Sequence, residues 1–421
     1  MKQVSKQEAQ ALFAKRGFAE DYGDIRGRVY NILAEVKARA DDALFEFTER
    51  FDGAKLTSLL ASEQEFAEAE KEVSPSLRGA IELAIARVRS FHEKQPTSGF
   101  LDNSDGALMG QLLIPMERVG CYIPAGQAPL FSSVIMSAVP AQVAGVKDVV
   151  VFSPPDSCGN IAPEILYTAK RLGISEVIKL GGAQAVAAAA YGSESVRRVD
   201  KVVGPGNLYV VLAKQALFGV VGIESLPGPT ETLVLADEHA DICHVAADLL
   251  AQAEHEGAQP VFVSNSARLM GGLEGELERQ LEHLSTADVA RAALNERGVA
   301  VLVESLSEGI EVANLYAPEH LCLLVQEAWT LLPLVKNAGI VFLGEHSMEA
   351  LGDYVAGPSH VMPTGGSARF LSGLNVRDFQ KVVPVVGLNE EVVASIGVAG
   401  AQMARAEGLE AHARAIESRL D

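Results

Sequence analysis

Gln252-Ala-Glu-His255, Glu319-His320, Asp353 within Leu-Gly-Asp-Tyr354, and Glu407 with His412 are polar islands in a chain otherwise rich in Ala, Val, Leu and Gly. Gln252, His255, Asp353 and His412 carry donor atoms that a zinc ion accepts, the imidazoles commonly and an amide oxygen less so. His320 has the ring that moves protons near neutral pH, and the carboxylate of Glu319 beside it can activate water. Gathering such groups costs free energy unless they are paired or used, so the chain reads as an enzyme.

Each island also has a plainer reading. Gln252 and His255 are three apart on an expected helix, Asp248 to Glu256, and so share a face, but a solvated helix surface would look the same. Pro318 places Glu319 and His320 at an element boundary, as an extended approach or a helix start. Asp353 is expected just after the strand Ile340 to Leu343, where ligand-contacting residues cluster in parallel sheets; a turn or N-cap aspartate fits equally. Glu407 and His412, five apart, suit an exposed helical face. His360, in the loop Gly357 to Gly366, either touches substrate or belongs to a long ordered loop. Gly204-Pro-Gly-Asn207 and Leu180-Gly-Gly-Ala-Gln184 follow strands, where glycines admit a ligand to the backbone. The third glycine of the dinucleotide fingerprint is missing from the first of them.

The elements that must position these groups follow from periodicity. Residues 1 to about 95 look helical, with Val29, Ile32, Leu33 and Val36 at helical spacing. From residue 118 strands alternate with helices: Arg118 to Tyr122, Asp148 to Phe152, Glu176 to Leu180 and Lys201 to Val203 are strands. Ser132 to Val146 is expected as a helix interrupted near Pro140. The pattern resumes with strands at Thr232 to Ala236, Pro260 to Val263, Val299 to Val303 and Ile340 to Leu343. Alternation of this kind implies parallel sheets covered on both faces. The fold expected is α/β, with two Rossmann-like doubly wound sheets in tandem, a helical N-terminal segment and a small C-terminal helical tail. The expected domains are 1–20, 21–121 together with 230–373, 122–229, and 374–421. The last is too small to fold alone and should pack on another domain or subunit.

The chain has 421 residues and a formal charge of −20. That field opposes nucleic acid and anionic membranes as partners and leaves a cationic small substrate free to enter. No apolar run nears the length of a bilayer span. The N-terminus lacks a signal core. Cys121, Cys158, Cys243 and Cys322 are widely spaced, as for reduced thiols in a cytoplasmic protein.

Taken in order, Tyr122-Ile-Pro-Ala-Gly126, Gly181-Gly-Ala-Gln-Ala185, Gly204-Pro-Gly-Asn207, Gly228-Pro-Thr-Glu231, Gln252-Ala-Glu-His255, Ala317-Pro-Glu-His320, Gly352-Asp-Tyr-Val-Ala-Gly-Pro-Ser-His360 and Glu407-Gly-Leu-Glu-Ala-His412 resemble the histidinol dehydrogenase family over nearly the whole chain. The resemblance implies a zinc-containing homodimer that oxidises L-histidinol to L-histidine in two NAD-linked steps, through a bound aldehyde. It implies zinc ligands at Gln252, His255, Asp353 and His412, the last given to the partner's site. It also implies the catalytic pair Glu319 and His320, with Thr230, Glu407, His320 and the metal ligands around the substrate. Tyr122, Gln184 and Asn207 match positions that contact NAD. Ala125 and Thr230 depart from the more frequent Gly and Ser, and the stretch Gln127 to Phe131 also differs. This leaves open a related dehydrogenase acting on another alcohol, such as a sulfonated diol.

Overall fold

The computed structural model describes residues 1–14, 16, 22–104, 106–126 and 128–420. It opens with strand β1 (Lys2–Val4), not with a helix; the helix Lys6–Phe13 follows. Four helices occupy Gly23–Arg39, Asp41–Asp52, Glu63–Glu72 and Pro75–His92, as their spacing predicts. After β2 (Phe100–Asp102) and β3 (Leu108–Pro115) comes a first parallel sheet: β4 (Arg118–Tyr122), β5 (Asp148–Ser153), β6 (Val177–Lys179), β7 (Lys201–Val203) and β8 (Gly222–Ile223). A second follows with β9 (Glu231–Ala236), β10 (Gln259–Ser264), β11 (Val299–Leu302), β12 (His320–Leu324) and β13 (Ile340–Leu343). β14 (Gln380–Gly387) then pairs antiparallel with β3 along its whole length.

The first sheet has the order β6-β5-β4-β7-β8, and the second β11-β10-β9-β12-β13 with β1 added outside β11. All pairings within them are parallel. The two are wound alike, each with its first strand in the middle. The expectation of two related doubly wound sheets is met. Each has a topological switch point, between β4 and β7 and between β9 and β12, where such sheets open a crevice.

Domain membership differs from the expected grouping of 21–121 with 230–373. Val29, Ile32, Leu33 and Val36 pack with Val150 and Phe152 of β5, and Ile81, Ala84 and Val88 pack with Val119 of β4. The helices 23–92 therefore cover the first sheet, whose strands are buried along their length and need apolar cover on both faces. The second sheet instead recruits β1 and the helix Lys6–Phe13, through Val4, Ala9 and Phe13. The expected boundary at 20/21 lies outside the described residues.

The helix Ser132–Val143 runs through Pro140 without interruption. Proline cannot donate to the carbonyl four residues back. That carbonyl, on Met136, instead accepts the Ser359 hydroxyl at 2.9 Å. The repair also ties the loop containing His360 to the first unit. Among the described residues, no helix is long and apolar enough to cross a membrane.

Candidate active site

The helix Leu306–Tyr316 ends at Ala317, which adopts the left-handed conformation with φ 51° and ψ 63°. For a residue with a Cβ this costs on the order of 1 kcal/mol. Pro318 then bars any further helix, and the chain enters β12. Of the alternatives open for Glu319-His320, the extended one is observed: His320 is the first residue of β12. Thr230 immediately precedes the neighbouring strand β9, and His320 pairs in register with Thr232. These residues lie at the amino edge of the second sheet. Tyr122, the last residue of β4, and the turn Gly204–Asn207 after β7 lie at the carboxyl edge of the first. Asp353 does not directly follow a strand. It sits in the short helix Glu349–Tyr354, which returns it to the amino edge with Oδ1 3.6 Å from His320 Nε2.

A chain of side chains connects the group. The Thr230 hydroxyl is 2.6 Å from Gln252 Oε1 and 2.7 Å from Glu319 Oε2. The Glu231 N–H also donates to Glu319 Oε2, at 3.1 Å. The Gln252 amide nitrogen donates to Glu349 Oε1, and the Thr232 hydroxyl donates to Glu349 Oε2 at 2.6 Å. His320 Nδ1 lies 3.1 Å from the Glu231 carbonyl oxygen, which can only accept. Nδ1 therefore carries hydrogen, and Nε2 of the neutral ring is left with a lone pair. Among the described residues, this buried Nε2 has no hydrogen-bond partner.

Charge in this pocket is unbalanced. Burial pushes the Glu319 carboxyl up to about 7, against the pull of His320 and the Thr230 hydroxyl. Burial likewise raises Glu349, to about 8. For His320, burial disfavours the charged ring, but Glu349, Glu319 and Asp353 outweigh it and raise it to about 10. Burial opposes ionisation of Asp353 too; the nearby His320, His360 and His255 rings nonetheless hold it below the usual carboxylate range. Three carboxyls thus surround one imidazole, an arrangement that a divalent cation would relieve. His320, Glu349 and Asp353 present ligand atoms within 4.8 Å of one another. With the Gln252 amide hydrogen-bonded to Glu349, the set mixes nitrogen and oxygen as zinc prefers. The residues present therefore fit a divalent metal.

The expected helix to Glu256 stops at Ala253, so His255 lies in the turn beyond it and is exposed. It faces a cleft of about 1620 Å³ whose other wall includes Tyr122, Gln184 and Asn207. Tyr122 and Gln184 are buried. The Tyr122 hydroxyl accepts the Gly182 N–H at 3.0 Å, and burial pushes it up to about 12. The structure thus gathers Thr230, Gln252, Glu319, His320 and Asp353, and sets His255, Tyr122, Gln184 and Asn207 along one cleft. It does not bring Glu407 or His412 there: both are exposed on the C-terminal helical hairpin. Glu349 was not foreseen. Its signal was present, since Glu349 and Asp353 are four apart and share a helix face. Cys322 is buried beside Glu349, and burial raises its thiol well above the usual range, which removes it as a nucleophile.

Comparison with known proteins identifies the family. The histidinol dehydrogenase family profile matches residues 16–420. The histidinol dehydrogenase of Deinococcus radiodurans is 57% identical over 93% of this chain and 90% of its own. That of Thermus thermophilus is 48% identical over 98% of both. The crystal structure of histidinol dehydrogenase from Elizabethkingia anophelis superimposes with a TM-score of 0.95 at 36% identity, covering 100% of this chain and 98% of that one. With a family profile matched over nearly its whole length and relatives at this identity, the chain belongs to the histidinol dehydrogenase family.

Proposed function

We propose that the chain oxidises L-histidinol to L-histidine in two NAD-dependent steps through bound L-histidinal, as a homodimer with shared active sites. The observation that carries this reading is the linked set Glu319–Thr230–Gln252–Glu349 around His320, with His255, three residues after Gln252, lining one cleft together with Tyr122, Gln184 and Asn207. Gln252, His255 and Asp353 would hold zinc, with His412 of the partner subunit completing the set. Glu407 would come with it, placing a carboxylate beside a cationic substrate. Zinc held there would orient the substrate's imidazole and amine, and NAD would supply the hydride acceptor.

The chain's own groups do the rest. The amide of Gln252 is held at both ends. Its nitrogen donates to Glu349, so its oxygen faces Thr230 and the ligand side; a neighbour that fixes a ligand in this way commonly tunes metal affinity. A divalent cation held there would compete for the same carboxylates and so weaken their hold on a charged His320 ring. Nε2 then takes the hydroxyl proton of the substrate as hydride departs, while the Glu231 carbonyl holds Nδ1–H. Glu319, fixed through Oε2 by Thr230 and the Glu231 N–H, deprotonates the water that attacks the aldehyde. Closeness of these groups to a bound carbinol replaces encounters in solution, an effect worth several kcal/mol.

Zinc-loaded protein given L-histidinol and NAD is expected to yield two NADH per L-histidine formed. No NADH above background would overturn the assignment, and NADH formed only from another alcohol would move it to a related dehydrogenase.

A further inference from the structure

Beneath the turn Gly204–Asn207 lies a buried ion pair that the reaction does not use. Lys214 and Glu224 side chains are 1% and 3% exposed, with Nζ 2.8 Å from Oε1. The same Nζ donates to the Gly204 carbonyl at 2.6 Å, and the same Oε1 accepts the Gly204 N–H at 2.9 Å. One charge pair therefore holds both polar groups of a single glycine. Lys214 lies in the helix Leu208–Leu217, which Asn207 caps, and Glu224 directly follows β8. The pair joins the end of β7, the following helix and the adjacent strand.

No other residue type fits at position 204. Its φ is +114°, and a Cβ there would stand 2.2 Å from the Tyr122 carbonyl oxygen. The end of β7 thus runs against the backbone of the last residue of β4. Asn207 spends its Oδ1 on the N–H groups of Tyr209 and Val210, at 3.1 and 3.2 Å. Its amide nitrogen is what remains for a ligand, and its place depends on the backbone just before it. Apolar residues could fill the space of a buried ion pair at equal or better stability, so stability alone does not account for this one.

We infer that the Lys214–Glu224 pair is the positioning device of the dinucleotide site, fixing Asn207 relative to Tyr122. This rests on the reading that Tyr122, Gln184 and Asn207 contact NAD. Neither Lys214 nor Glu224 lines the cleft; both act through the Gly204 peptide groups.

The test is equilibrium binding of NADH, read by its fluorescence, to wild type, Lys214→Met/Glu224→Leu, Glu224→Gln and Asn207→Ala, with zinc content and KM for L-histidinol measured in each. The double variant leaves no lone buried charge; it is expected to bind NADH about tenfold more weakly or worse, as small displacements at a site allow. Zinc content and KM for L-histidinol at saturating NAD should stay near wild type. Glu224→Gln keeps an acceptor for Gly204 and should lose less. Wild-type NADH affinity in both pair variants, with loss in Asn207→Ala, overturns the inference. Wild-type affinity in Asn207→Ala instead overturns the cofactor reading beneath it. Equal losses of NADH, substrate and zinc would make the pair general scaffolding and overturn the inference too. If the double variant does not fold, Glu224→Gln decides by the same comparisons.

Discussion

Glu319 and His320 are adjacent in sequence yet differ in what holds them. Glu319 is tied through Oε2, while His320 is tied through Nδ1 and leaves Nε2 bare. A carboxyl raised to about 7 by burial serves as a base only once ionised. Oxidation of L-histidinal is therefore expected to climb with pH through about 7 and then level. Glu319→Gln should remove that climb and slow the aldehyde step by about 10²- to 10⁴-fold, the range for a lost general base, with the alcohol step slowed less. Equal slowing of both steps, measured with each substrate, would deny Glu319 its water-activating role. His255→Ala is expected to lose zinc and activity together, measured by metal analysis and NADH formation; full activity in a zinc-free variant would refute the ligand role. The types of these residues were legible in the sequence. The part of Glu349 was legible only as its four-residue spacing from Asp353; its place between a Gln amide and a Thr hydroxyl is set by contacts distant in the chain.

At the scale of elements, the placement of Glu319 and His320 depends on the seam between β12 and β13. Gly339 N–H donates to the Pro318 carbonyl and Ile340 N–H to that of Glu319, both at 2.9 Å. A Cβ on Gly339 would lie 2.6 Å from the Glu319 carbonyl oxygen, a backbone atom with little room to yield. Gly339→Ala is thus expected to push Glu319 and His320 from their positions and lower kcat by about 10²-fold, as misplacements near 1 Å do. NADH binding should be retained, since Tyr122, Gln184 and Asn207, the proposed cofactor contacts, belong to the other sheet; an unchanged kcat would show that β12 does not set the geometry. Strand β12 itself escaped the sequence reading. Its run His320 to Leu324 is short and apolar, which periodicity alone cannot assign.

For the whole molecule, the C-terminal hairpin is the outlying piece. Ile396, Val398, Met403 and Leu409 are exposed apolar residues on it, and Glu407 and His412 sit far from any role within their own chain. If His412 completes a neighbour's site, a His412→Asn chain mixed with a His320→Phe chain should recover activity, because one site of the mixed dimer has both residues intact. Mixed dimers isolated and found inactive would end the shared-site proposal.

The sequence by itself determined the residue types for the chemistry, the alternation of strands and helices, and the family to which they belong. These are local properties, carried by side-chain chemistry and by a repeat of apolar positions that survives any arrangement in space. Only the tertiary structure decided which helices cover which sheet. The helices 23–92 lie on the first sheet because its buried strands need apolar cover on both faces. Only the tertiary structure also set the amino edge of one sheet facing the carboxyl edge of the other across the cleft, and so brought Glu349 against Gln252 across 97 positions of chain.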